Sequence, residues 1–162
     1  MIASLDATSP SPRARQALER AERLCQKRGV RLTVLRRRVL EIIWSQARPL
    51  GAYAILDVLR DDGRAGAPPT VYRALDFLLE QGLIHRLASI NVFTGCCQPD
   101  HRHGSQFLIC RNCRRVDEFS NAEVENVLNG EADARGFEAL TQTIEVLGLC
   151  PDCRVGVARR AD

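Results

Sequence analysis

Residues 68–95 read PPTVYRALDFLLEQGLIHRLASINVFTG. Pro68 and Pro69 stand just ahead of Thr70, and proline is accepted in a first helical turn because its missing N–H has no intrahelical partner there. Val71, Leu75, Leu78 and Leu79 then recur at helical spacing, and Gly82 is the natural stop. The remainder, from Leu83, holds two short extended runs about Ala88–Asn91, which predicts a small β-hairpin. A proline-led helix that runs into a hairpin is the second half of a winged helix-turn-helix, provided that helices precede it.

They do. Ala17, Leu18, Ala21, Leu24 and Cys25 share one helical face between Arg13 and Arg28, and Gly29 ends that helix, so Cys25 reads as a core thiol. Thr33 is a natural N-cap for a second helix with Leu35, Val39, Ile42 and Ile43 inside and Pro49 beyond its end. Arg36, Arg37 and Arg38 cover its outside, either as a solvated face or as phosphate contacts. A third helix fits residues 51–62, with Ile55, Leu56 and Leu59 inward, before GRAGAPP breaks the chain. In such a module the helix after the turn enters the major groove, which makes Thr70, Tyr72 and Arg73 the candidates for DNA contact. Arg73 can fork onto a guanine edge or grip a phosphate, and Tyr72 can reach a phosphate or a thymine methyl. The plain alternative is a surface arginine beside a half-buried tyrosine.

Charge follows the same division. Residues 1–84 carry fourteen Lys+Arg against nine Asp+Glu, and residues 85–162 carry nine against eleven. The basic half is the one expected to meet a polyanion. With 162 residues and 45% hydrophobic composition, the chain has enough apolar material for one ordinary domain or two small ones. It has no apolar run of about 18 residues, and MIASLDATSPSPRARQ lacks the basic-then-apolar layout of a secretory signal, so a cytoplasmic protein is expected, without a membrane partner.

That compartment bears on the cysteines. Seven is an odd number, so a fully disulfide-bonded monomer is excluded, and in a reducing compartment Cys-x-x-Cys pairs read as metal or redox sites. QFLIC and VDEFS are predicted strands flanking the turn Cys110-Arg-Asn-Cys113. Asn121 can cap a helix running to about Arg135, with Gly136 after it. FEALTQTIEVLG is extended and delivers the chain to Cys150-Pro-Asp-Cys153. The second half is a small α+β domain with a knuckle at each end. Two such turns place Cys110, Cys113, Cys150 and Cys153 about one Zn²⁺ as a closed structural site. A thioredoxin-like dithiol would instead need one such turn at a helix start.

A second group remains: His85, Cys96, Cys97, His101 and His103, with Asp100, Asp117 and Glu118 as nearby carboxylates. All three histidines of the chain thus converge on a cysteine pair, which can supply a second zinc site of mixed ligands. Four protein ligands leave no open position, and the chain has no H-E-x-x-H or other hydrolase motif, so sensing is expected and not catalysis; no small-molecule substrate is implied.

Thr70-Val71-Tyr72-Arg73-Ala74-Leu75, Gly82-Leu83-Ile84-His85 and the two Cys-x-x-Cys pairs together resemble the ferric uptake regulator family, most closely its zinc uptake regulator branch, over roughly residues 15–155. The resemblance implies a homodimer that represses zinc-uptake genes on operator DNA when zinc is plentiful, with two Zn²⁺ per chain. Residues 1–12, with Ser4, Ser9, Pro10, Ser11 and Pro12, read as a loose leader, and with the resemblance the chain divides into a winged-helix DNA-binding domain at 13–87, a hinge and metal-binding connection at 88–103, a dimerisation domain at 104–156 and a tail at 157–162. By position, the four knuckle cysteines match the structural zinc ligands, and His85, Cys96, His103 and Glu118 match the regulatory set. Tyr53 and Arg73 match DNA-contacting positions. Cys97 beside Cys96 and His101 beside His103 are possible alternative ligands. A thiolate softens the regulatory site relative to the nitrogen and oxygen ligands of iron-sensing relatives. The rival expectation is a thiol redox sensor, in which oxidation of Cys96 or Cys97 releases zinc.

Overall fold

Ser11 starts the first helix by accepting from the backbone N–H of Ala14, with Pro12 in the first turn. This α1 runs Pro12–Lys27 in a computed structural model that describes residues 10–63, 67–100 and 104–158. The extreme ends of the expected leader and tail, at 1–9 and 159–162, lie outside the described residues, as do His101 and His103. The chain divides into two units, Met1–Pro99 and Asp100–Asp162.

In the first unit, α2 (Val34–Ser45) begins at Thr33, whose hydroxyl accepts from the Arg36 N–H, and α3 spans Ala52–Asp61. The proline-led helix is α4, Pro68–Glu80. It ends where Gly82 takes a φ of +64° and the N–H of Leu83 reaches back to the Leu78 carbonyl, a Schellman closure that a side chain at position 82 would strain. The chain then enters β1 (Ile84–Leu87), which pairs antiparallel with β2 (Val92–Gly95) from Ile84 opposite Gly95 to Leu87 opposite Val92. A bridge between Leu50 and Phe93 ties the hairpin to the α2–α3 connection.

The four helices exist because their apolar faces meet. Leu18, Leu40, Ile55, Leu59, Leu75, Leu78 and Ile84 belong to one cluster and are each no more than 1% exposed. At about 1.5–3 kcal/mol for each large aliphatic side chain taken from water, this cluster dominates the unit's stability. The unit is a winged helix, as the pattern in residues 68–95 predicts.

The second unit is a three-stranded sheet in the order β4-β3-β5, where β3 is Ser105–Cys110, β4 Val116–Phe119 and β5 Thr143–Gly148. β3 and β4 are antiparallel neighbours across the Cys-x-x-Cys turn; β5 lies parallel to β3 and is reached through helix α5, Ala122–Ala134. Asn121 caps α5, its side-chain amide oxygen Oδ1 accepting from the N–H groups of Glu123 and Val124. One local expectation needs correction, and one element has no counterpart in the sequence reading. Residues 137–142 are irregular and the strand begins only at Thr143, and the chain past the second knuckle turns helical as α6, Pro151–Ala158. Among the described residues no helix is long and apolar enough to cross a membrane.

Apolar burial in the second unit is slight. Phe107, Ile109 and Cys110 are buried on β3, but α5 buries none of its side chains, while Val127, Phe137 and Leu140 are exposed. A unit this small with so little core needs support beyond its own packing.

Candidate metal centres and nucleic-acid face

Cys110 is the last residue of β3, Cys113 closes the turn after it, Cys150 immediately precedes α6 and Cys153 lies in its first turn. Parallel pairing of β5 with β3 brings the ends of the two strands side by side, Cys110 opposite Gly148, and so delivers both turns to one place. The four sulfurs all lie within 4.8 Å of one another, with Cys113 and Cys150 at 3.7 Å. A tetrahedral zinc with Zn–S bonds of about 2.3 Å requires sulfurs about 3.8 Å apart, whereas a disulfide requires about 2.05 Å. The spacing is that of ligands about a shared ion; all four thiols are free.

The electrostatics agree. Backbone N–H groups of Cys113, Cys150 and Asn112 point at the Cys110 sulfur and hold its thiol well below the ordinary range, at about 6. At Cys153 the Asn112 side-chain amide donates to the sulfur at 3.2 Å and favours the thiolate, but the surrounding thiols, Cys150 foremost, together with burial outweigh it and push the group up to about 12. Four sulfurs this close cannot all ionise unaided. A divalent cation removes the conflict by replacing the protons. The second turn does sit at a helix start, the position a redox dithiol needs, yet a dithiol gives no reason for the first pair to converge on it.

In the first unit, His85 is the second residue of β1, opposite Thr94, and Cys96 follows β2 directly. The hairpin register folds them together: a ring nitrogen of His85 and the Cys96 sulfur lie within 4.8 Å. Cys96 is buried, whereas Cys97 is exposed and stands outside that group. In the second unit, Glu118 is half-buried on β4 opposite Phe107; its neighbour Asp117 is exposed and ion-paired with Arg115 at 3.2 Å. Asp100 is exposed.

The face of α4 opposite Val71, Ala74, Leu75 and Leu78 presents Thr70, Tyr72 and Arg73 to solvent. Tyr53, the second residue of α3, is 73% exposed. Arg73 makes no ion pair among the described residues. The arginine triplet of α2 behaves differently. Arg36 donates to the Arg31 carbonyl and lies 3.6 Å from the Phe77 ring centroid, and Arg37 pairs with Glu22 at 2.7 Å. Arg38 grips both carboxylate oxygens of Asp62, at 2.7 and 2.9 Å, and pairs with Glu41. Of the two readings of this triplet, neither a bare solvated face nor a set of free phosphate contacts describes it: the three guanidiniums brace the helices.

Comparison with known proteins places this geometry. The model of the ferric uptake regulator family matches residues 27–147. The chain belongs to the ferric uptake regulator family. Within that family it is 41% identical to the zinc uptake regulation protein of Escherichia coli (strain K12), over 85% of this chain and 81% of that one. Its fold superimposes on a zinc uptake regulator complexed with zinc and DNA with a TM-score of 0.86 at 39% identity, covering 91% of this chain and 99% of the other. The holo form of XcZur gives 0.80 at 42% identity over 86% and 98%. Sequence reasoning missed three contributors to the site of this ferric uptake regulator family member: Asn112 at the Cys153 sulfur, Trp44 under Gly95, and the start of α6 at Cys150. The Asn112 contact had a weak signal, since a polar residue inside a Cys-x-x-Cys turn is placed to donate to sulfur.

Proposed function

We propose that this protein is a zinc-responsive, sequence-specific DNA-binding repressor of zinc-uptake genes, cytoplasmic and without enzymatic activity, with zinc as co-repressor. The observation that carries the reading lies in the first unit. The helix presenting Thr70, Tyr72 and Arg73 runs without interruption, through Gly82, into the hairpin that holds His85 within 4.8 Å of Cys96. A nitrogen and a thiolate at that spacing suit a borderline-soft, four-coordinate ion such as Zn²⁺. By family position His103 and Glu118 complete the regulatory set, with Cys110, Cys113, Cys150 and Cys153 as the structural set, giving two Zn²⁺ per chain.

His85 and Cys96 would hold the zinc, which would supply a Lewis-acid centre shared by a nitrogen and a thiolate. His85 and Cys96 then hold the hairpin in one geometry, and the rigid Schellman turn at Gly82 passes that constraint to α4, whose Tyr72 and Arg73 meet the groove, with Tyr53 on α3 beside the backbone. The exposed Val127, Phe137 and Leu140, in a unit whose own helix α5 buries nothing, fit a second copy of the chain in a homodimer. Two recognition helices about 34 Å apart then read two half-sites.

The test is operator binding by fluorescence anisotropy at buffered free zinc, on duplexes enriched by the protein from a random pool. Zinc should tighten binding, and by linkage operator should tighten zinc binding by the same factor. Equal zinc affinity with and without operator would sink the mechanism. A response to peroxide but not to zinc, in the absence of reductant, would put the thiol sensor in its place.

A further inference from the structure

Residues 96–99 connect β2 to the second unit and form no regular structure, so their carbonyls have no ladder to join. Arg20 of α1 and Arg28 at its C-cap serve them. Arg20 donates from Nη1 to the Cys97 carbonyl at 3.0 Å, and Arg28 donates from Nη2 to the Pro99 carbonyl at 3.1 Å. The other arm of Arg28 reaches the carbonyl of Gln81, the capping residue of α4 just ahead of β1. The N–H of Cys96 is itself held by the Leu83 carbonyl at 3.0 Å. Arg20 and Arg28 lie about two turns apart, so both face the same strip of α1. Cys96 and Pro99 of the connection are buried, but between it and α1 lies a recess of about 220 Å³, lined in part by Arg13, Gln16, Trp44 and Cys96. Where that contact is unfilled, the directional hydrogen bonds add position that shape alone does not give.

We infer that Arg20 and Arg28 are positioning residues for the sensing metal: they pin residues 97–99 to α1 and thereby set where the Cys96 sulfur stands relative to His85. Neither arginine is among the candidate ligands; each donates to backbone carbonyls instead. The inference rests on the zinc-sensing reading above, because only a metal at Cys96 gives the pinning a consequence. Orienting groups behind metal ligands ordinarily change affinity by about 10–100-fold when removed.

The experiment compares full-length wild type, Arg20→Ala, Arg28→Ala, the double variant and Arg20→Lys. Zinc affinity of the chelator-labile site is measured by competition with a chelator, and the same site is filled with Co²⁺ to read the thiolate-to-cobalt band and the d–d intensities. Chelator-treated protein is melted in parallel. The double variant should bind labile zinc about tenfold more weakly or worse and show an altered Co²⁺ spectrum, while the tightly held zinc stays in place. Arg20→Lys should recover part of the loss, since an ammonium can still donate to one carbonyl. A double variant with wild-type affinity and spectrum overturns the inference, and it does so equally if its melting temperature falls, because the arginines then serve stability alone. A wild type with no labile zinc, or one that Cys96→Ser leaves unchanged, overturns the sensing reading itself and the inference with it.

Discussion

The sulfurs of Cys113 and Cys150 stand 3.7 Å apart although the residues are 37 positions apart in the chain. At that distance one thiol proton can be shared between them, and an ion held by all four sulfurs would take its place. Structural zinc contributes roughly 10–16 kcal/mol of apparent binding free energy in metal-dependent modules, as much as or more than the whole stability of a typical domain. Cys113→Ser should therefore unfold the second unit rather than weaken it, with loss of the tightly held zinc. Zinc analysis and a thermal melt by circular dichroism decide this. A cooperative, folded Cys113→Ser protein would refute the structural assignment.

The regulatory set predicts a different outcome. Cys96→Ser should leave a folded protein that holds one zinc fewer per chain than wild type, and that binds operator equally with and without added zinc. Metal analysis before and after mild chelation provides the count.

Arg73 and Arg38 should separate DNA binding from folding. Arg73→Ala removes a guanidinium that has no ion pair among the described residues, and should weaken operator binding by about 1–3 kcal/mol with zinc content and melting temperature unchanged. Arg38→Ala breaks a bidentate grip on Asp62 that already holds the guanidinium more firmly protonated than usual. It should cost on the order of 1 kcal/mol of stability in the first unit. Parallel melts and anisotropy titrations would show whether the two effects are indeed exchanged.

Gly95 is the last residue of β2, and a Cβ placed there would collide with the Trp44 indole. Gly95→Ala forces either the ring or the strand to move, and overpacking of this kind costs about 1–3 kcal/mol. The melting temperature of the first unit should fall, and the labile zinc one residue downstream should bind less tightly. Gly95→Ala in a Trp44→Ala background should recover much of the loss; no recovery would show that the contact with Trp44 is not the cause.

Burial pushes the Cys25 thiol above its ordinary range, against a weaker opposite pull from Arg28 and Arg36. The folded state thus favours the neutral thiol. Its contribution to stability is complete below the pKa of the unfolded thiol and declines as pH rises from there through the folded value. Under native conditions exposed Cys97 should react with iodoacetamide first and Cys25 only on unfolding. Peptide mapping after timed alkylation reads the order.

The sequence by itself determined α1 to α4, the hairpin and the α5 cap, because each is written in local pattern: an apolar residue every third or fourth position, a hydroxyl or amide at the cap, a glycine at the stop. It also determined the knuckle chemistry, since Cys-x-x-Cys is a local unit whose ligand spacing is built into one turn. Tertiary structure decided what depends on residues distant in the chain. That β5 lies parallel to β3, so that Cys150 and Cys153 arrive beside Cys110 and Cys113, is a matter of strand order. Which of Cys96 and Cys97 faces His85 depends on hairpin register, where a slip of one residue exchanges the two faces. The arginines show the division most clearly. Arg73 stands out in sequence as a candidate DNA contact by its place in the proline-led helix, whereas nothing local marks Arg38 as a brace or Arg20 and Arg28 as straps, because their partners Asp62, Cys97 and Pro99 are distant in the chain and a charge carries no local signature of what it will meet.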